Sequence, residues 1–185
     1  MRIGIDISQV AYGNTGVANY LSNLVREMVK NEEHEYILFF SSLRRKFPIS
    51  NFQFQISNSK VKIKRFRFPP TFLDLLWNKL HIVPIETFIG NIDVFITSDW
   101  TEPPVKKAKK ATIIYDLIVY RHPDETDQKI VSVQKRKLSW VKKESNIVFC
   151  ISESTKKDAI EILGLDPAKV KVIYPGISRA NELTG

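Results

Sequence analysis

Apolar residues recur along this chain in two alternating rhythms. Short β-branched or aromatic runs give way to longer stretches with helical spacing, and that alternation predicts an α/β fold. Residues 2–7 read as a first buried strand. In VANYLSNLVREMVK, Val17, Tyr20, Leu21, Leu24, Val25 and Met28 then fall on one helical face. EYILFF and VKIKRF give a second and a third strand, separated by a weakly patterned segment rich in Phe, Asn and Gln that reads as a loop or short edge strand. Pro69 and Pro70 end the third strand, FLDLLWNKL has the spacing of a short helix, and IVPIETFIG is an apolar continuation with room for another turn or two.

DVFITS, ATIIYD and NIVFCIS are continuous apolar runs that end in polar residues, as expected of central parallel strands buried on both faces. QKIVSVQKRKLSWVKK is long enough for a crossover helix, and LIVYRHPDET before it reads as a loop. Ser152 or Ser154 can cap the helix through TKKDAIEILG, which stops at Gly164, and Pro167 helps turn the chain into a last strand, KVKVIYP. The predicted order is β, α, β, β, α, β, β, α, β, α, β. This is a doubly wound, Rossmann-like α/β fold, with a mostly parallel sheet, right-handed crossovers and helices on both faces.

Composition narrows the setting. The 185 residues are 43% hydrophobic and 26% charged, enough for one well-packed core. No stretch approaches the roughly 20 apolar residues that span a bilayer, and the amino terminus enters strand-like IGIDI at once, so the expected location is cytoplasmic. Cys150 is the only cysteine and closes an apolar run, so it reads as a small buried hydrophobe. His34, His81 and His122 have no metal-binding spacing, no Ser, His, Asp order suits acyl transfer, and no metal or cofactor is expected.

The formal charge of +8 is uneven. Lys106, Lys107, Lys109 and Lys110 are read as crowding one loop, and Lys135, Arg136, Lys137, Lys142 and Lys143 fall on the crossover helix. Such a field can draw in acidic headgroups, nucleic acid or phosphorylated substrates, or be simply a solvated face.

Candidate chemistry gathers just beyond predicted strand ends. Gly13, Asn14, Thr15 and Gly16 lie between the first strand and first helix, where backbone N–H groups can receive phosphate or merely form a turn. Their spacing is not the dinucleotide fingerprint, and SSLRRK stands where that fold needs an acidic residue after the second strand; a P-loop string is also missing. Two roles are open to Asp116 at the end of ATIIYD: accepting substrate hydroxyls, or fixing its own loop by taking N–H groups. Tyr115 can face the cleft or pack inward. Asp99 and Trp100 follow DVFITS, and Trp100 suits either a sugar face or a lid on the core.

Three segments in chain order carry a resemblance. GNTGVANYLSNLVREM, IIYDLIVYRHPDET and ISESTKKDAIEILGLDPAKVKVIYPGI resemble the first loop and helix, an internal segment, and the final strand, helix and strand of the amino-terminal domain of family 4 retaining glycosyltransferases. The resemblance implies one lobe of a two-lobed GT-B enzyme. Residues 1–177 would form the acceptor-side domain and 178–185 the start of a linker to a carboxyl-terminal domain that binds most of the nucleotide sugar. It implies transfer of a hexose, mannose or glucose favoured, from a nucleotide diphosphate sugar to a glycan or lipid-linked acceptor, and the basic segment from Lys106 to Lys143 can then draw the enzyme to an anionic membrane surface.

By position, Gly16, with Gly13 in the same loop, would meet the donor diphosphate. Asp116 would be the acid of a His, Asp pair whose His is Tyr115 here. Asp99, Trp100, Tyr115 and Ser152 are the candidate substrate or acceptor contacts. The lobe alone is expected to be inactive, because the cations that neutralise the leaving diphosphate lie in the second lobe. Nucleic acid is not expected as a partner. The rival readings are a two-lobed α/β epimerase or phosphatase-like enzyme and a basic α/β nucleic-acid or ligand-binding module.

Overall fold

The computed structural model describes residues 1–13, 15–48 and 59–176. Asn14, most of the weakly patterned segment after the second strand, and the linker expected at 178–185 lie outside the described residues.

Strand β1 (Arg2–Asp6) passes through a 3-10 turn, Ser8–Tyr12, into helix α1 (Gly16–Met28). Then come β2 (Glu35–Ser41), β3 (Val61–Phe66) and α2 (Pro70–Leu73), which continues as a π-helical stretch, Asp74–Lys79. A single turn, α3 (Glu86–Ile89), leads to β4 (Val94–Thr97) and β5 (Lys109–Ile114). The segment read as a loop after β5 instead forms a turn of helix, α4 (Ile118–Arg121), and a 3-10 turn, Pro123–Glu125. The long crossover helix α5 (Gln128–Glu144), β6 (Ile147–Cys150), α6 (Glu153–Glu161), another 3-10 turn and β7 (Val170–Val172) complete the order.

The seven strands form one sheet in the order β3-β2-β1-β4-β5-β6-β7. Every pairing is parallel, for example Ile3 opposite Tyr36 and Ile114 opposite Cys150. The chain reverses its direction of travel across the sheet between β1 and β4. In parallel sheets, ligands bind at such a switch point, beyond the strands' carboxyl ends.

Strand β2 shows why the sheet is covered on both sides. Tyr36, Leu38 and Phe40 pack with Leu21 and Val25 of α1, while Ile37 and Phe39 pack on the other face with Leu73 and Trp77. The outermost β3 alternates differently, its Lys62, Lys64 and Arg65 exposed, as suits an edge strand. Thr15 caps α1 by accepting from the Ala18 N–H at 3.2 Å, and Asp127 caps α5 in the same way. Gly164 takes a left-handed φ of 64°, which lets the chain turn toward β7. Cys150 is fully buried among Leu138, Val141 and Val170, and burial pushes its thiol up to about 11.

The basic field divides on folding. Lys109 and Lys110 belong to β5 rather than to a loop, and both Lys110 and Lys137 are buried. Lys110 Nζ lies 3.1 Å from Glu102 Oε1 and 2.8 Å from Glu144 Oε2, and Glu144 Oε1 meets His81 Nε2 at 2.8 Å. Glu102, fully buried, also accepts from the hydroxyls of Thr97 and Thr112. The His81 ring stacks on Trp140 with centroids 3.5 Å apart. This chain of charges joins β4, β5 and α5 to the turn after the π-helical stretch, and each buried ion keeps a partner. Among the described residues, no helix is long and apolar enough to cross a membrane.

Three stability outcomes follow from this packing. A Cβ at Gly4 would lie 2.8 Å from Phe95 Cδ2 and 2.9 Å from Ile89 Cδ1, so Gly4→Ala is expected to cost about 1–3 kcal/mol in urea unfolding. At Gly13 a Cβ meets nothing within 4 Å, and Gly13→Ala is expected to change stability by less than about 0.5 kcal/mol. Lys110→Met removes the cation in contact with Glu102 and leaves it the Thr97 and Thr112 hydroxyls, which should cost about 3–5 kcal/mol, and adding Glu102→Gln should recover much of that loss.

Glu144 sets an acid limit. Burial works to raise its pKa, but Lys110 and His81 outweigh burial and hold it below the ordinary 4.5. Its contribution to stability is therefore complete above that value and is lost as pH falls through the depressed one. A Glu144→Gln variant should show a shallower loss of stability on acidification in the same unfolding measurement.

Candidate functional site

Because all strands run parallel, the residues that follow their carboxyl ends gather along one edge: Asp6, Ser98 and Asp99, Tyr115 and Asp116, Ile151 and Ser152, Ile173 and Tyr174. Helix α1 begins at the same edge. An open cavity of about 700 Å³ lies between that helix and the ends of β5, β6 and β7, and Gly16 and Asp116 both line it, with Tyr115, Ile151 and Tyr174.

At the helix end of the cavity, the caps leave donors unspent among the described residues. Thr15 Oγ1 accepts from Ala18, and the Thr15 carbonyl accepts from Asn19. Gly16 and Val17, in the first turn, have no intrahelical acceptor for their N–H groups. These donors, with the positive end of a 13-residue helix behind them, favour an anion in this part of the cavity. Gly13 is not among the residues lining it.

Asp116 is exposed, and its Oδ1 accepts from the Ile118 N–H at 3.1 Å. The carboxylate thus fixes the start of α4, and among the described residues nothing occupies Oδ2. Tyr115 is nearly buried: its hydroxyl lies 3.1 Å from Ser98 Oγ, its ring meets Tyr20 edge-on at 5.6 Å, and its carbonyl accepts from Thr155 Oγ1. Burial is the main cause that pushes the phenol well above its ordinary range, so it stays a neutral hydroxyl at physiological pH. The Tyr20 hydroxyl in turn donates to the Ile173 carbonyl at 3.1 Å, a bond that joins α1 to the chain leaving β7.

Asp99 and Trp100 do not reach this cavity. Gln134 Nε2 donates to both the Asp99 carbonyl (3.1 Å) and Asp99 Oδ1 (3.2 Å), tying the loop to α5. Burial raises the Asp99 pKa, against the opposing pull of Lys137 and Gln134. Trp100 instead walls a second cavity of about 280 Å³, with Tyr12, Pro70, Thr71 and Ile130. Ser152 is committed to helix α6: its Oγ accepts from the Thr155 N–H at 3.1 Å. Its hydroxyl is therefore engaged within the fold.

Two ionisable residues under this edge were not among the site residues expected from the sequence. Lys137 is buried and donates to the Ser98 carbonyl at 2.6 Å. Burial lowers its pKa, while Glu102, Asp99 and Asp6 pull it back up. Asp6, at the end of β1, has its pKa raised by burial although it accepts from the Ser8 N–H at 2.9 Å. The available signal for Lys137 was spacing, since it stands three residues after Gln134 and four before Val141, on the inner face of α5. Asp6 was the single acid closing a strand otherwise made for burial. Among the described residues, no group of three His, Cys, Asp or Glu side chains could hold a metal ion.

Comparison with known proteins places the fold. Two solved structures of Phytolacca americana UGT2 are similar to this chain at 11% identity: the apo form, with a TM-score of 0.51, and the complex with UDP-2fluoro-glucose and pterostilbene, with a TM-score of 0.53. Each alignment covers 98% of this chain but only 54% and 55% of the UGT2 chains, so the chain spans about half their length. No curated protein matches it. The family model of Glycosyltransferase Family 4 matches residues 14–181, from the first loop through the last strand, and the chain belongs to that family.

Proposed function

We propose that residues 1–177 are the amino-terminal, acceptor-side lobe of a two-lobed retaining glycosyltransferase, and that 178–185 begin the link to its donor-binding lobe. The enzyme moves a hexose, mannose or glucose favoured, from a nucleotide diphosphate sugar to a glycan or lipid-linked acceptor. The observation that carries this reading is that Gly16 and Asp116 line one cavity at the carboxyl edge of the sheet. The spare N–H groups of the first turn of α1 suit a diphosphate oxygen, and the Oδ2 atom of Asp116 suits a hydroxyl of the transferred sugar or its acceptor.

In the transition state, positive charge develops on the sugar ring and negative charge on the departing diphosphate. A fixed carboxylate beside the ring and fixed N–H donors beside the phosphate stabilise both without reorganising. Tyr115 contributes no imidazole. Its hydroxyl is held by Ser98, and its ring forms part of the wall. Trp100 and the adjoining Tyr12 offer aromatic surface in the second cavity for an acceptor, with Asp99 holding that loop on Gln134. With half of the cleft and none of the second lobe's cations, the 185-residue chain by itself should transfer no sugar. Steady turnover by the purified chain would overturn the two-lobe account.

The decisive residue test uses the two-lobed enzyme. Asp116→Asn keeps an oxygen able to accept from Ile118, so its Tm should stay within about 1 °C of the parent, a shift worth about 1 kcal/mol or less. Its kcat/KM should fall by about a hundredfold, because the charge beside the reacting centre is gone. Tyr115→Phe should lose about 1 kcal/mol of stability with its Ser98 bond and less than tenfold in kcat/KM. Turnover unchanged in Asp116→Asn removes that residue from the site, and a larger loss at Tyr115 than at Asp116 makes the phenol the working group.

A further inference from the structure

We infer that His81 is a positioning residue for the second cavity and that it acts there as an imidazolium. Its ring is fixed from three sides. Nδ1 lies 2.8 Å from the Trp77 carbonyl oxygen, Nε2 lies 2.8 Å from Glu144 Oε1, and the ring stacks on Trp140 with centroids 3.5 Å apart and 7° between the planes. A carbonyl oxygen can only accept, so Nδ1 carries a proton. Burial opposes ionisation of Glu144, but Lys110 Nζ, 2.8 Å from its other oxygen, outweighs burial together with His81, and the group stays a carboxylate. Glu144 therefore also only accepts, and Nε2 carries a proton too. A neutral ring would turn a lone pair toward one of these oxygens.

The turn needs such a clamp. His81 and Val83 stand at φ of 53° and 61°, in the left-handed region that residues with a Cβ rarely adopt, a β-branched one least of all. Trp77 Nε1 helps to hold them by donating to the Val83 carbonyl at 3.0 Å. The charged groups about the ring are Glu144 and Lys143 on α5, Lys110 on β5 behind Glu144, and Glu102 behind Lys110. Lys143 Nζ lies 4.5 Å from the Trp140 ring centroid, and Lys79, on the same segment as His81, is exposed. Among the described residues, Glu144 is the carboxylate in direct contact with the imidazole.

Hydrogen bonds carry the position of the ring to the cavity. Trp140 Nε1, on the indole that the imidazole covers, donates to the Asn78 carbonyl at 2.9 Å. Asn78 Nδ2 donates to the Trp100 carbonyl at 2.9 Å and to Asp74 Oδ1 at 3.0 Å, and Asn78 Oδ1 accepts from the Glu102 N–H at 3.0 Å. Trp100 and Asp74 both line the second cavity. With the ring charged, the turn, Trp140 and Asn78 brace that wall. Loss of one proton sets a lone pair against an oxygen, the left-handed turn loses its clamp, and Asn78 and the Trp100 loop are freed to shift. The wall is thus held at lower pH and released as pH rises through the range, about 5 to 8, in which histidine changes charge. An effect on acceptor binding rests on the glycosyltransferase reading, and the brace itself does not.

Nitrogen-15 NMR of the histidine side chains in the 185-residue chain, assigned with His34→Gln and His122→Gln, should show both His81 ring nitrogens protonated at about pH 7. A ring with one proton there overturns the proposal. Amide hydrogen exchange at Glu102 reads the Asn78 brace, with fully buried Leu38 of β2 as the reference. Protection of Glu102 relative to Leu38 should fall about fivefold or more between about pH 6 and pH 8.5 in the parent. It should stay low throughout in His81→Phe, which keeps a stacking ring without donors, and stay high in His81→Arg, whose planar cation does not titrate. Protection that ignores pH in the parent, or that falls with pH in His81→Arg as it does in the parent, overturns the proposal. The NMR measurement and the parent's exchange profile need no substitution at His81, so they test it even if a His81 variant fails to fold. In the two-lobed enzyme, the acceptor KM should rise about fivefold over the same range with kcat little changed, and His81→Arg should flatten that profile. A flat acceptor KM in an active enzyme whose Glu102 protection titrates sinks only the placing of the acceptor in the second cavity. Titrating protection without any sugar transfer sinks only the glycosyltransferase reading.

Discussion

A buried carboxylate organises the middle of this molecule. Glu102 carries its charge into a sheet that is covered on both faces, and such a charge survives there only with a cation and several hydrogen bonds around it. Lys110 supplies the cation, Thr97 and Thr112 the hydroxyls, and the Asn78 side chain accepts from the Glu102 N–H. To meet those needs, the loop between β4 and β5 must fold down over the strand ends, and that loop carries Asp99 and Trp100. The position of the second cavity follows from how one acid is kept charged indoors.

The same constraint explains what the sequence revealed and what it hid. Strand and helix order were legible because each element buries a face with its own period: the continuous run of β2, the three- and four-residue spacing of Leu21 and Val25 in α1. The switch point, and the shared edge for Gly16 and Asp116, followed from the strands being parallel. Lys110 and Lys137 were misread because a lysine's identity argues for solvent, and only partners far along the chain, Glu102 and the Ser98 carbonyl, reverse that. Which cavity Trp100 would line was hidden for a related reason. Its loop direction is set by Asn78, whose side chain bonds the Trp100 carbonyl, and nothing local announces that contact.

The candidate site then divides by chemistry. One cavity combines an unspent helix end with an exposed carboxylate and is suited to a phosphate-bearing ligand. The other sets Tyr12, Trp100 and Ile130 beside the charged Asp127 and Lys129. Asp6, Asp99 and Lys137 lie in the protein between the two. Lys137 attracts both carboxylates, which offsets part of the cost of burying the three side chains.

The bond from the Tyr20 hydroxyl to the Ile173 carbonyl joins the two sides of the first cavity. Tyr20 belongs to the helix whose first turn presents Gly16, and Ile173 leads directly into Tyr174, Pro175 and Gly176. Ile173 is also held to the sheet, its N–H donating to the Cys150 carbonyl at 2.9 Å, so one residue ties both the last strand and helix α1. The backbone of Ile173 thus fixes both where the chain leaves its last strand and how far that exit stands from the helix that presents Gly16.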